Sequence, residues 1–281
     1  MSEQTARRAA VLGHPIGHSL SPRLHRAAYA ALGLESWQYT AIDLTEEQLP
    51  AFIAGLDDSW AGLSVTMPLK QAVMGLVDHV EPLASVVGAV NTVLVQGGGR
   101  RPTLVGANTD VHGIVAALRE GGSGGTASTA AVLGAGATAS AALAALAELG
   151  CAEPVVYVRS LGRTGALALA AHRMGVHPVF RPLAEAATGI LDVDLVVSTL
   201  PPGGADFLVP EVAGRQVAGV LLDAAYDPRR SAVGAAWAGA GGSTVDGERM
   251  LLHQAVEQVR LMTGQPGPLT AMDAALGDAL G

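Results

Sequence analysis

The stretch from Ala130 to Ala139 constrains the fold of this chain more than any other. A short apolar run, Ala130 to Leu133, leads directly into Gly134-Ala135-Gly136-Ala137-Thr138-Ala139, a G-x-G-x-x-A turn, and Thr138 to Leu149 then reads as an alanine-rich helix ended by Gly150. A strand passing through such a turn into a helix belongs to a parallel α/β layer. The first glycine permits the tight turn, the second lets backbone approach a pyrophosphate, and the small third position lets helix and strand pack closely. In a chain with 36 glycines a lone match is weak; the strand before it and the helix after it give it weight.

The same alternation runs through the rest of the chain. Strands are predicted at Ala9 to Leu12, Trp37 to Leu44, Ala61 to Thr66 and Val90 to Val95, the last ending in Gly97-Gly98-Gly99. Ser21 with Pro22 reads as a cap plus first-turn proline of a helix to about Leu32, Thr45 with Gln48 as a capping box, and Pro68 as another helix start. The segment Glu120 to Ser128 resembles a flexible connection. Beyond Leu149, strands are predicted at Val155 to Val158, Asp194 to Leu200 and Gly219 to Ala224, and helices at Glu248 to Thr263 and Thr270 to Leu280. Alternating elements of this kind make an α/β fold.

Composition removes several function classes. At 49% hydrophobic and 15% charged residues, the 281-residue chain can bury a core and is not a disordered one. Its formal charge of -8 supplies no positive field for a nucleic acid or an anionic membrane, which points to a small molecule or another subunit as partner. The five apolar residues from Ala9 are too few for a signal-peptide core, and a single cysteine, Cys151, makes no internal disulfide, so a reducing cytoplasm fits best. His14, His18 and His25 lie close in sequence, but Pro15 and Gly17 prevent the helix that would align an i, i+4 pair; no metal is expected.

Of 17 basic residues, Lys70 alone is a lysine. In a chain that writes positive charge as Arg, the surviving Lys points to a group that must give up a proton, which a guanidinium does not do; the plain alternative is chance retention. After Val155 to Val158 the chain has Arg159, Ser160 and Arg163, where an NAD-binding protein would place an acidic residue for the ribose hydroxyls. Two guanidiniums and a hydroxyl suit a 2′-phosphate, hence NADP, unless they are ordinary solvated arginines.

Four blocks, GHPIGHSLSP (13–22), SVTMPLK (64–70), GAVNT (88–92) and ANTD (107–110), occur in an order and spacing that resemble the shikimate dehydrogenase family. The later GAGATAS, the segment Asp223 to Tyr226 and DGERMLLHQA (246–255) continue the likeness over nearly the whole chain. The resemblance implies reversible reduction of 3-dehydroshikimate to shikimate by NADPH, with Lys70 as the catalytic lysine and Asp110 as its partner carboxylate. It places Ser19, Ser21, Thr66, Asn91, Tyr226 and Gln254 against the substrate, and Gly134, Gly136, Ala137, Ala139, Arg159, Ser160, Arg163, Thr199, Gly247 and Met250 against NADP. It implies two α/β domains with a cleft between: a discontinuous substrate domain, residues 1–109 plus 247–281, and a Rossmann-like NADP-binding domain, residues 110–246, in a monomer or homodimer.

The chain departs from that pattern at Ala107, where Asp often precedes N-T-D, at Ser64, where Asn is common, at Val158, before the phosphate-binding Arg, and at Glu248 and Arg249, in a stretch usually aliphatic. Rival readings are a quinate or dual quinate/shikimate dehydrogenase, a folate-type dehydrogenase, and a catalytically silent NADP-binding sensor. The S-x-S and N-T-D blocks speak against the second, and the presence of Lys70 with Asp110 against the third.

Overall fold

The computed structural model describes residues 6–98, 101–123, 127–227 and 229–281. The chain divides into two compact units, Met1–Thr109 with Leu252–Gly281, and Asp110–Leu251. The first carries β1 (Arg8–Gly13), α1 (Ser21–Ala31), β2 (Gln38–Asp43), α2 (Leu49–Ala54), β3 (Trp60–Val65), β4 (His79–Val80), α3 (Pro82–Val87), β5 (Thr92–Gln96) and β6 (Thr103–Ala107). The second carries α4 (Asp110–Glu120), β7 (Ala130–Leu133), α5 (Ala137–Glu148), β8 (Val155–Val158), α6 (Gly165–Met174), β9 (Val179–Pro182), α7 (Ala186–Gly189), β10 (Leu195–Ser198), α8 (Val209–Val212), β11 (Val220–Asp223), α9 (Ala232–Gly239) and β12 (Ser243–Asp246). Then α10 (Gly247–Thr263) returns the chain to the first unit, which α11 (Leu269–Leu280) completes.

The first unit is built on a mixed sheet of order β2-β1-β3-β5-β6-β4. β1, β2 and β3 are parallel, whereas β5 runs antiparallel to both β3 and β6. This reversal sets the site. The ends of β1, β3 and β6 and the start of β5 all fall at one edge of the sheet, so the four sequence blocks that follow or precede those strands are gathered there. Backbone bonds lace them: His14 N–H to Met67 O at 3.1 Å, Thr66 N–H to Leu12 O at 2.9 Å, Val65 N–H to Asn91 O at 2.7 Å, Val90 N–H to Lys70 O at 2.9 Å, and Asn91 N–H to Ala107 O at 3.1 Å. Leu12, Leu49, Leu63, Leu69, Val73, Val90 and Val93, all buried, form part of the core beneath.

The second unit has six parallel strands in the order β12-β11-β10-β7-β8-β9. Strands buried on both faces read as continuous apolar runs, which is why β7, β10 and β11 are almost wholly aliphatic. Order in the sheet reverses between β7 and β10. The carboxyl ends of those two strands form the crevice where open α/β sheets take a ligand.

Several local expectations are corrected. Ser21 is the first helical residue of α1 and Leu20 takes the cap position with no side-chain bond, because the turn before it leaves Ser19 to receive the Ser21 N–H at 3.4 Å. The Thr45–Gln48 box is half formed: Gln48 Oε1 accepts the Thr45 N–H at 3.0 Å, yet α2 starts only at Leu49. No α-helix opens at Pro68; a turn leads instead to a 3₁₀ helix at Ala72–Leu76, with Leu69 and Val73 buried in the core. The short β4, β9 and β12 carry too little pattern to be read from sequence. Of the glycine-rich connection, residues 124–126 lie outside the described set, as does Gly99 of the earlier turn; the first unit ends at Thr109, as expected, and resumes at Leu252 rather than at 247. Among the described residues no helix is long and apolar enough to cross a membrane.

Candidate active site

In the first unit the expected substrate residues lie on the elements at the laced edge. Ser19 is half-buried in the β1–α1 loop and Ser21 is buried at the start of α1. Thr66 and Lys70, both half-buried, stand on the turn after β3. Asn91, immediately before β5, is 2% exposed, and Gln254 on α10 is buried. The structure brings the last two together: Asn91 Nδ2 lies 3.4 Å from Gln254 Oε1. Between them sits Thr109, whose hydroxyl accepts from Asn91 Nδ2 at 2.9 Å and reaches Gln254 Oε1 at 3.4 Å, while its N–H donates to Asn91 Oδ1 at 2.8 Å. Sequence reasoning missed Thr109, as well as Thr92, whose hydroxyl donates to Asn91 Oδ1 at 2.9 Å. The signal was present in the two Asn-Thr pairs, in which each Thr serves the same Asn. Also missed was Gln258, buried one turn beyond Gln254 on α10. Two neutral amides at i and i+4 lie on one helix face, a pattern that a core otherwise avoids unless both amides are bonded.

In the second unit Asp110 is buried in the first turn of α4, where the helix dipole favours a carboxylate. Tyr226 is half-buried after β11, and burial pushes its phenol up. The glycine turn behaves as its pattern requires. Gly134 adopts φ +113°, and a side chain there would run into Thr199, which follows β10 and bonds back to Leu133 O at 2.8 Å. Gly134 and Thr199 thus meet at the reversal point of the sheet. A side-chain carbon on Gly136 would meet nothing, so the approach to the amino end of α5 is open, and no side chain caps that helix. Ala137 is half-buried and Ala139 fully buried against the strand.

Arg159, Ser160 and Arg163 are exposed just past β8, and among the described residues neither arginine has an acidic partner. Uncapped helical N–H groups beside two unspent guanidiniums fit a dinucleotide with an extra phosphate. Gly247 is buried where any side chain would collide with Ala224 O, and Met250 is buried behind it. Glu248, one of the departures, is 2% exposed and accepts from Arg229 Nε at 2.9 Å; Arg249 bridges to Glu120 at 2.7 Å. Both charges are therefore spent within the second unit. Among the described residues no group of three or more His, Cys, Asp or Glu could hold a metal ion; His14 instead bonds Asp43 at 2.6 Å, which together with the Ile16 N–H holds that carboxyl below its usual range.

A six-stranded parallel sheet with a glycine turn at its reversal point, joined to a second α/β unit rich in buried neutral hydrogen-bonding groups, defines the class: a two-domain nicotinamide-dependent oxidoreductase. Residues 11–93 match the description of the shikimate dehydrogenase substrate binding domain, and residues 247–276 that of the shikimate 5'-dehydrogenase C-terminal domain. A curated NADP(+) shikimate dehydrogenase from Thermosynechococcus vestitus is 36% identical over 278 residues, covering 96% of this chain and 95% of the relative. The crystal structure of shikimate dehydrogenase from Mycobacterium tuberculosis superposes with a TM-score of 0.84 at 39% identity, covering 97% of this chain and 99% of that one. A Thermus thermophilus shikimate 5-dehydrogenase in complex with NADP(H) and shikimate gives 0.79 at 35% identity, covering 98% and 100%. The chain belongs to the shikimate dehydrogenase family.

Proposed function

We propose that this chain catalyses the reversible NADPH-dependent reduction of 3-dehydroshikimate to shikimate, a step in making chorismate and the aromatic amino acids. The observation that carries the reading is the gathering of all four family blocks at one edge of the first sheet, with Asn91, Thr109 and Gln254 hydrogen-bonded to one another there. NADPH, when bound, would supply a hydride to the ketone carbon and leave as NADP+.

What remains is the protein's work. Reduction of a ketone leaves negative charge on the oxygen, and Lys70, the only lysine, is the group that stabilises it and delivers a proton from Nζ. The family likeness makes Asp110 the partner carboxylate of this reaction. Ser19, Ser21, Thr66 and Tyr226 supply hydroxyls, and Asn91 and Gln254 amides, to the ring substituents and carboxylate. No arginine falls among these groups, so the substrate is read by hydrogen bonds and shape. The backbone around Gly134, Gly136, Ala137 and Ala139, with Thr199, would hold the pyrophosphate, Arg159, Ser160 and Arg163 the 2′-phosphate, and Gly247 and Met250 the nicotinamide end. The chemistry of an NADPH-linked biosynthetic reductase, with one buried free cysteine, fits the cytoplasm, as a monomer or homodimer.

The test is a set of four reactions: purified protein with shikimate or quinate, each with NADP or NAD, followed by absorbance of the reduced nicotinamide. A site made of buried polar groups penalises a misplaced hydroxyl, so shikimate is expected to exceed quinate by about 10²-fold or more in kcat/KM, with NADP preferred over NAD. Comparable kcat/KM for the two acids would replace this reading with a quinate/shikimate dehydrogenase.

A further inference from the structure

Gln258 lies outside every family block quoted above, yet both ends of its buried amide are bonded. Its Nε2 donates to Asn91 O at 3.2 Å and to Thr92 Oγ1 at 3.0 Å. Its Oε1 accepts from Ser64 Oγ at 2.7 Å and from His25 Nε2 at 3.3 Å. A peptide carbonyl only accepts, so the end facing Asn91 O must be the nitrogen; the end facing His25 is then the oxygen, and His25 carries its proton on Nε2.

The directions of the neighbouring bonds follow from that assignment. Thr92 Oγ1, already accepting from Gln258, points its own hydrogen at Asn91 Oδ1, 2.9 Å away, beside the Thr109 N–H. The Thr109 N–H can only donate, so Asn91 Oδ1 faces it and Asn91 Nδ2 turns to Thr109 Oγ1; that hydroxyl lies 3.2 Å from Asn91 Oδ1 and 3.4 Å from Gln254 Oε1. The result is a connected network that runs from His25 through Gln258 and Thr92 to Asn91, and from Asn91, directly and by way of Thr109, to Gln254, in buried side chains of one unit. Ser64, present where the family commonly has Asn, anchors its upstream end by passing the Tyr39 hydroxyl's bond, 2.6 Å long, to Gln258. The His25 ring, stacked 3.9 Å from Tyr39, is held in place from the other side.

An amide can present either end to a ligand, and the wrong end opposes a donor to a donor. We propose that Gln258 is a positioning residue: acting through Thr92, it holds in place the Asn91 amide, whose orientation the Thr109 N–H selects, and with it the Gln254 amide, and so steadies the hydrogen-bond pattern offered to the substrate ring. The proposal rests on the reading that Asn91 and Gln254 touch substrate.

The experiment compares steady-state kinetics of Thr92→Val, Thr92→Ser, Gln258→Met and the double variant Gln258→Met with Thr92→Val. Thr92→Val is nearly isosteric and breaks the network at one oxygen, so it tests the idea even where the hub variant fails to fold. The expected result is a rise in KM for shikimate on the order of 10-fold in Thr92→Val and Gln258→Met, the scale of one misdirected buried hydrogen bond, with KM for NADPH within about 2-fold. Thr92→Ser should restore the wild-type KM, and the double variant should be no worse than Gln258→Met alone, because both changes cut the same network. A parallel rise in both KM values, additive effects in the double variant, or no rescue by Ser would overturn the proposal and leave Gln258 a packing residue. Asn91→Ala separates the two levels. If it raises the shikimate KM while Thr92→Val does not, the positioning role alone fails; if it leaves that KM unchanged, the substrate site itself is misplaced and the proposal falls with it.

Discussion

The two units solve recognition with opposite materials. In the first, one cluster of polar groups is neutral, buried and internally bonded: Asn91, Thr92, Gln254, Gln258 and His25 are all beneath the surface. In the second, the groups proposed for the cofactor are backbone at an open glycine turn and the exposed Arg159 and Arg163. Exposed cations attract a phosphate cheaply, because neither partner is stripped of water far in advance, but they discriminate little beyond charge. Buried neutral groups cost free energy unless every bond is made, which turns each mismatch into a penalty. A ring carrying several hydroxyls calls for the second device, and a phosphate shared by many enzymes needs only the first.

The largest effect that would break the comparison is on Lys70, a charged group at the edge of the neutral unit. Lys70→Met should lower kcat by about 10² to 10⁴, the range of general acid-base help, with a smaller change in KM. Lys70→Arg should do nearly as badly, since a guanidinium keeps the charge but gives up no proton; turnover close to wild type in that variant would leave Lys70 only an electrostatic role.

Next comes a stability effect specific to the neutral unit. Burial lowers the His25 pKa from 6.5 to about 3, with the Gln258 bond opposing the shift more weakly. Its ring neighbours Tyr29 and Tyr39 stay protonated, their phenols pushed up by burial. The folded pKa is depressed, so between those values the unfolded chain binds a proton that the folded chain refuses, and stability falls as pH falls. From pH 6.5 to 4.5 the loss from this group should approach about 2 kcal/mol. Urea unfolding at the two pH values measures it, and His25→Phe should remove that component; an unchanged pH dependence would show that His25 opens to solvent.

Smaller effects belong to the second unit. Arg159→Asp should weaken NADPH by about 10-fold while NADH changes little or improves, since it sets a carboxylate where the 2′-phosphate is expected. Equal weakening of both cofactors would make Arg159 structural. Smallest of all, raising salt from about 0.05 to 0.5 M should raise KM for NADPH several-fold and leave KM for shikimate within about 2-fold. Equal sensitivity of the two KM values would erase the contrast between the units.

The alternation of apolar runs and helical stretches, the glycine turn and the motif blocks are local, and local chemistry is legible in sequence: β7, α5, β8, β10 and β11 all form within a residue or two of their apolar runs. Lys70, Asn91, Asp110 and Gln254 stood out by composition or by likeness, and Arg159 by what it replaces. What the order of residues did not disclose was the antiparallel β5, which brings its first residues to the edge where β3 ends, nor the turn that displaced a helix at Pro68. It did not disclose that Thr92, Thr109, Gln258 and His25 would bond in one network, because Gln258 is 167 positions from Asn91 and meets it only when α10 returns to the first unit. Sequence determined which groups are available and what each segment becomes, since propensity, turn chemistry and periodicity act over a few residues. Only tertiary structure decided which of the buried polar groups satisfy one another, because that depends on strand order and on the return of a distant helix.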